Sequence, residues 1–202
     1  MSEAFLIGLT GSIGMGKSTT AQMFRDEGVP VWDADEAVHR LYAKDGAGVA
    51  KIRKLRPQAV IDGAVSRSVL KDWIAQDDTA LARIEAEIHP LVQRDRERFL
   101  ETLDSDIAVL DIPLLFETGS PDRFDLVAVV SAPAEIQRAR VLERPGMTEA
   151  QLDRILSKQM PDARKRACAD VIIPTLNLDD TRVTVRALID DIRRGKYARN
   201  RP

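Results

Sequence analysis

Cysteine is almost missing: Cys168 is the only one in 202 residues, so no disulfide can form within the chain, and a reducing compartment fits. Net charge is nearly missing too. At −2 it gives no global basic field, which argues against a nucleic-acid partner. No apolar run approaches the length of a membrane span. No targeting segment is visible: Met1-Ser2-Glu3 carries an acidic residue where a signal peptide would be basic, and the apolar stretch behind it breaks at Gly11. Internal repeats and low-complexity tracts are absent as well. A soluble, cytoplasmic protein is expected, with no membrane and no obligate protein partner called for. Hydrophobic residues are 44% and charged residues 31% of the chain, an ordinary balance that can bury a core without metal or disulfide staples.

What is present alternates in character. Phe5 to Leu9 is a short apolar run ending in a Gly-rich turn, and Lys17 to Glu27 reads as a helix closed by Gly28. Val29–Trp32, Ile107–Leu110, Leu126–Val130 and Val171–Ile173 are further strand-length apolar runs. Strands apolar on both faces, separated by helices, indicate a buried parallel sheet. The expected fold is a three-layer α/β/α sandwich with a five-stranded parallel sheet. From about Ser66 to Leu103 only helix signals occur, and Pro90 should end or kink a helix near His89. An inserted helical substrate subdomain is placed at about 60–104. A lid is placed at about 135–160, broken at Pro145-Gly146 and restarted by Thr148 as N-cap. Asp179 to Arg194 reads as the final helix, followed by a basic tail after Gly195.

Gly11-Ser12-Ile13-Gly14-Met15-Gly16-Lys17-Ser18 satisfies G-x-x-x-x-G-K-[ST]. Glycines let the backbone wrap phosphates closely, with N–H groups pointing inward. The helix that follows adds its positive end. Gly11, Gly14, Met15, Gly16, Lys17, Ser18 and Thr19 are therefore the expected ATP-binding residues. Lys17 reaches the outer phosphates and Ser18 ligates Mg²⁺. The loop specifies a nucleoside triphosphate but not the acceptor.

Val31-Trp32-Asp33-Ala34-Asp35 places two carboxylates just past the second strand, at the edge where ligands of parallel sheets gather. Asp33 there can orient an attacking hydroxyl and take its proton. Either aspartate can equally cap the helix that follows. Asp111 ends an apolar strand, where an acid holds Mg²⁺ or simply starts a loop. Arg140 and Arg144 are four apart on a helix and share a face. Their forks suit phosphate oxygens, although a solvated, ion-paired face is the plainer reading.

Together these pieces resemble the dephospho-coenzyme A kinase family over nearly the whole chain. The residues that carry the resemblance are the extended loop Ile7–Thr19, Asp33-Ala34-Asp35, and Asp62-Gly63 with Arg67 and Leu70. His89-Pro90, Asp111-Ile112-Pro113-Leu114-Leu115-Phe116-Glu117, Gln137, Arg140, Arg144, Gln159 and Ala169-Asp170 complete it. The resemblance implies phosphorylation of the ribose 3′-hydroxyl of dephospho-CoA by ATP. It implies Asp33 as base, and Lys17, Arg140 and Arg144 as stabilisers of the transferring group. It also implies that Asp33, Asp35, His89, Leu115, Phe116 and Glu117 line the acceptor site. The sequence departs from the family at Leu55-Arg56-Pro57 and at Pro174-Thr175, where an Asn usually lies near the adenine. A nucleoside monophosphate kinase would not predict the Asp111–Glu117 stretch. A guanine-nucleotide switch would carry an Asn/Thr-Lys-x-Asp motif, which does not occur. An idle binding protein would not need Lys17, Ser18 and Asp33 together.

Overall fold

The computed structural model describes residues 4–117 and 123–198, so the end of the basic tail lies outside the described residues. The described part forms two compact units. One comprises residues up to Trp32 together with those from Asp104 onward, and the other is Asp33–Leu103.

The first unit is built on a sheet of β1 (Phe5–Thr10), β2 (Val31–Asp33), β5 (Ile107–Asp111), β6 (Leu126–Ser131) and β7 (Val171–Pro174) in the order β2-β5-β1-β6-β7. The central strands run parallel, with Ile7 beside Val109 on one side and Leu126 on the other. Every residue of β1, β5 and β6 is buried, as continuous apolar runs require when both faces are covered. Phe5, Ile7, Leu9, Val109 and Ala128 pack with Phe24 of α1 (Lys17–Asp26) and with Val185, Leu188, Ile189 and Ile192 of α9 (Leu178–Arg193). Each such side chain withdrawn from water contributes roughly 1.5–3 kcal/mol before entropy is charged against it. The unit also holds α6 (Ala134–Leu142), α7 (Glu149–Leu156) and α8 (Asp162–Ala167), of which α8 packs on β6.

The expected five strands and the expected long helices are present. The second strand starts at Val31 rather than Val29 because helix α1 consumes the residues between. Gly28 N–H donates to Arg25 O and Val29 N–H to Phe24 O, a paired closure of the last turn. Thr148 caps α7 in a reciprocal capping box with Gln151, as its position suggested. The six-residue α8 was not expected.

The second unit contains α2 (Ala34–Tyr42), α3 (Ala47–Leu55), a 3₁₀ turn at Pro57–Ala59, the hairpin β3 (Val60–Ile61) and β4 (Ala64–Val65), α4 (Arg67–Gln76) and α5 (Ala80–Glu101). It begins at Asp33, well before the expected 60, because α2 and α3 pack on α5 around Leu41, Tyr42, Val49, Ile52, Ile84 and Ile88. The hairpin turns on Asp62-Gly63, both at positive φ, as a two-residue turn of this hand requires. Helix α5 does not end at His89: it runs through Pro90 for 22 residues. An interior proline costs about 3 kcal/mol. Ile84 and Ile88 before it and Leu91 and Val92 after it all pack into one core, which offsets that cost. No helix among the described residues is long and apolar enough to cross a membrane.

Candidate active site

The turn between β1 and α1 is shaped by its glycines. A Cβ on Gly11 would lie 2.3 Å from Val130 Cγ2 of β6. One on Gly14 would lie 2.5 Å from Val141 Cγ2 of α6, and Gly14 has φ +76, a conformation that side chains disfavour. Gly16 abuts Thr175, just past β7. The loop is thus pressed against three elements. Its donors are sorted as a result. Ile13 N–H goes to Gln159 Oε1 and Met15 N–H to Ser12 O. The N–H groups of Gly14, Gly16, Lys17, Ser18 and Thr19 have no protein acceptor among the described residues, and they gather at the positive end of α1. That is an anion cradle.

Met15 differs from the expected role. Its side chain is buried, its Sδ accepts Ala132 N–H, and its carbonyl accepts the Thr175 hydroxyl. It holds the loop together and offers no free donor.

Lys17 forms an ion pair with Asp111, the last residue of β5. The carboxylate side chain is fully buried, whereas 13% of the Lys17 side chain reaches solvent. Ser18 and Thr19 are exposed on the first turn of α1. A hydroxyl and a carboxylate are the hard oxygen donors that Mg²⁺ takes beside phosphate oxygens, so Ser18 and Asp111 fit the expected metal.

A cavity of about 280 Å³ adjoins the cradle, walled by Gly16, Thr19 and Thr20 on one side and by Arg140, Arg144 and Thr175–Leu178 on the other. Arg140 donates from Nη2 to Thr175 O at 2.5 Å and from Nη1 to Thr175 Oγ1 at 3.4 Å. Thr175 links the phosphate loop to the arginine helix, since its hydroxyl donates to Met15 O and its carbonyl accepts from Arg140. Arg144 is exposed. On the same helix, Arg138 pairs with Glu149 and Asp153.

The segment after β5 divides. Leu115 is fully buried and packs against Gly8, so it is a core residue and does not line an open site as expected. Phe116 is half-buried. Glu117 Oε1 accepts Met160 N–H at 2.8 Å and lies 2.9 Å from Nζ of fully buried Lys165. Burial works against the Glu117 charge, but the Met160 amide and the Lys165 ammonium outweigh it and hold the carboxyl below its ordinary value. A depressed folded pKa adds stability above the unfolded value, and that stability is lost as pH falls through the folded one. Glu117→Gln is therefore expected to lower stability above about pH 4.5, with the deficit vanishing as the pH is lowered further. Urea melts of both proteins between pH 3 and 7 measure this. A deficit independent of pH would exclude the ionic tie.

In the second unit, Asp33 is the N-cap of α2. Its Oδ1 accepts Asp35 N–H at 2.8 Å and Glu36 N–H at 3.0 Å, so the capping role falls to Asp33 and not to Asp35. Asp35 sits exposed in the first turn. His89 is exposed and lines a groove of about 380 Å³ whose floor is Tyr42, Leu70, Ile84 and Ile88. Val38, Ile74 and Val92 extend the apolar wall, while Arg67, Lys71 and Glu85 rim it. Burial raises the Tyr42 phenol above its ordinary value, against the charge of Arg67. Sequence reasoning singled out His89 alone as a site residue here. The groove residues repeat at helical spacing and read as core, and exposed Leu81 with half-buried Val38, Ile74 and Val92 betray an opening.

A family model for dephospho-CoA kinase matches residues 5–180. A dephospho-CoA kinase of Cereibacter sphaeroides is 59% identical, across 94% of this chain and 96% of its own. Among solved structures, a Thermus thermophilus protein is similar with a TM-score of 0.83 and 32% identity, over 95% of this chain and 99% of its own. A dephospho-CoA kinase from Campylobacter jejuni shares the fold, with a TM-score of 0.72 and 22% identity over 95% of this chain and 98% of its own.

Proposed function

The chain belongs to the dephospho-CoA kinase family, and from that premise we propose how its own residues move the γ-phosphoryl group of ATP to the ribose 3′-hydroxyl of dephospho-CoA, the final step of coenzyme A synthesis. The observation that carries the reading is the anion cradle, with five main-chain N–H groups at a helix N-terminus and Lys17 at its mouth.

The triphosphate lies along Gly14–Thr19, and its adenosine end enters the cavity walled by Thr175–Leu178. Lys17 is shared between Asp111 and the outer phosphate oxygens. Arg140 and Arg144 supply positive charge as the bond to the leaving ADP oxygen lengthens. In a loose transition state, such fixed charges do most of the work. Ser18 and Asp111 would hold Mg²⁺, which neutralises phosphate charge when bound. Asp33 orients the 3′-hydroxyl and accepts its proton. Support for this role comes from its place as the last residue of a sheet strand and from its two cap bonds, which both fall on Oδ1. The apolar groove of the second unit suits the pantetheine arm of the acceptor, with His89, Arg67 and Lys71 at its rim. The reaction is assigned to the cytoplasm, where a lone thiol stays reduced.

A coupled ADP-release assay with Mg²⁺-ATP tests the reading. ADP formation that depends on dephospho-CoA, with coenzyme A as product, is expected. Turnover with AMP or another nucleoside monophosphate instead would overturn the substrate.

A further inference from the structure

We propose that Gln137 and Gln159 are positioning residues that clamp Ile13 from both sides and thereby set the shape of the phosphate loop. The proposal rests on the ATP reading above.

Ile13 carries no chemistry of its own, yet both of its main-chain polar groups are held by side-chain amides from distant parts of the chain. Gln137 of α6, only 7% exposed, donates from Nε2 to Ile13 O at 2.7 Å. Half-buried Gln159, between α7 and α8, accepts Ile13 N–H on Oε1 at 3.1 Å. A trans peptide is planar, with its C=O and N–H pointing in opposite directions. Turning the Ile13 carbonyl toward α6 therefore turns the next N–H, that of Gly14, away from α6. Gly14 N–H is the first of the five donors in the cradle. On the other side, Gln159 satisfies the Ile13 N–H outside the cradle, so that this donor does not compete for phosphate.

Both clamping residues are themselves fixed. Helix α6 is in direct contact with the loop, since a Cβ on Gly14 would lie 3.0 Å from Gln137 O. Gln159 precedes Met160, whose N–H is held by Glu117, which in turn pairs with buried Lys165. The loop is thus referenced to two anchors, and each bond has a defined direction: a donor is required at 137 and an acceptor at 159.

That direction supplies the test. Four variants are compared by steady-state kinetics, varying ATP and dephospho-CoA separately: Gln137→Met, Gln137→Glu, Gln159→Met and Gln159→Glu. Losing one clamp bond is expected to raise the KM for ATP about five- to tenfold, with kcat and the KM for dephospho-CoA changed less. Gln159→Glu keeps an acceptor and is expected to fall closer to the wild type than Gln159→Met. Gln137→Glu sets a carboxylate against a carbonyl and is expected to be worse than Gln137→Met. Any other order overturns the clamp, as does a fall in melting temperature and kcat with the ATP KM unchanged. A wild-type enzyme inactive toward dephospho-CoA would sink the reaction instead, and the same order would then be read from ATP dissociation constants by calorimetry.

Discussion

Asp33→Asn is expected to lower kcat by about 10²–10⁴-fold while leaving folding and ATP binding close to the wild type. The proposed role as base meets the observed role as helix cap at this residue, and the asparagine separates them. As N-cap of α2, Asp33 accepts two backbone N–H bonds on one oxygen. Asparagine caps as well as aspartate, because its amide oxygen can take the same bonds. It cannot accept a proton from an attacking hydroxyl. Asp33→Ala removes both functions and should add a stability loss of about 1 kcal/mol. Kinetics and thermal melts of the two variants therefore give two independent readouts. Near-normal turnover in Asp33→Asn would reduce Asp33 to a helix cap and send the search for a base elsewhere.

The phosphate loop was legible in the sequence because its signal is contiguous. Three glycines and Lys17-Ser18 lie within a few residues, and a strand and a helix flank them. The sheet was legible for a related reason: strands buried on both faces read as unbroken apolar runs. Contacts made at long range left no such trace. Gln137 and Gln159 stand 124 and 146 positions from Ile13, and a lone glutamine in a helical stretch carries no period or motif of its own. The resemblance marked both positions without saying what they touch. Met15 and Leu115 hold motif positions, but a motif position does not reveal which way a side chain turns, and both side chains turn into the core. At Pro90 the expectation allowed an end or a kink, and the helix does not end there. The local rule against an interior proline is sound, but tertiary burial on either side of it outweighs one lost hydrogen bond. The Asp62-Gly63 hairpin could have been found from its dipeptide alone.

Lys17→Met is expected to abolish transfer almost completely and also to destabilise the fold, and a second substitution should restore only the latter. Lys17 is the one side-chain cation placed at the cradle mouth by the phosphate motif, so its loss should cost on the order of 10²–10³-fold in kcat. It is also the ammonium partner of Asp111, whose side chain is fully buried at the end of β5. Removing one member of a buried pair costs about 3–5 kcal/mol, because the remaining charge keeps its desolvation penalty and loses the cation that faces it. Adding Asp111→Asn removes that charge. The double variant should therefore regain most of the lost stability in urea melts while remaining inactive, since nothing replaces the ammonium at the phosphates. Recovery of stability without activity would separate the structural duty of Lys17 from its catalytic one. If the double variant melted no higher than Lys17→Met, the ion pair would not be what supports the end of β5, and the hydrogen bonds of the loop would have to carry that role.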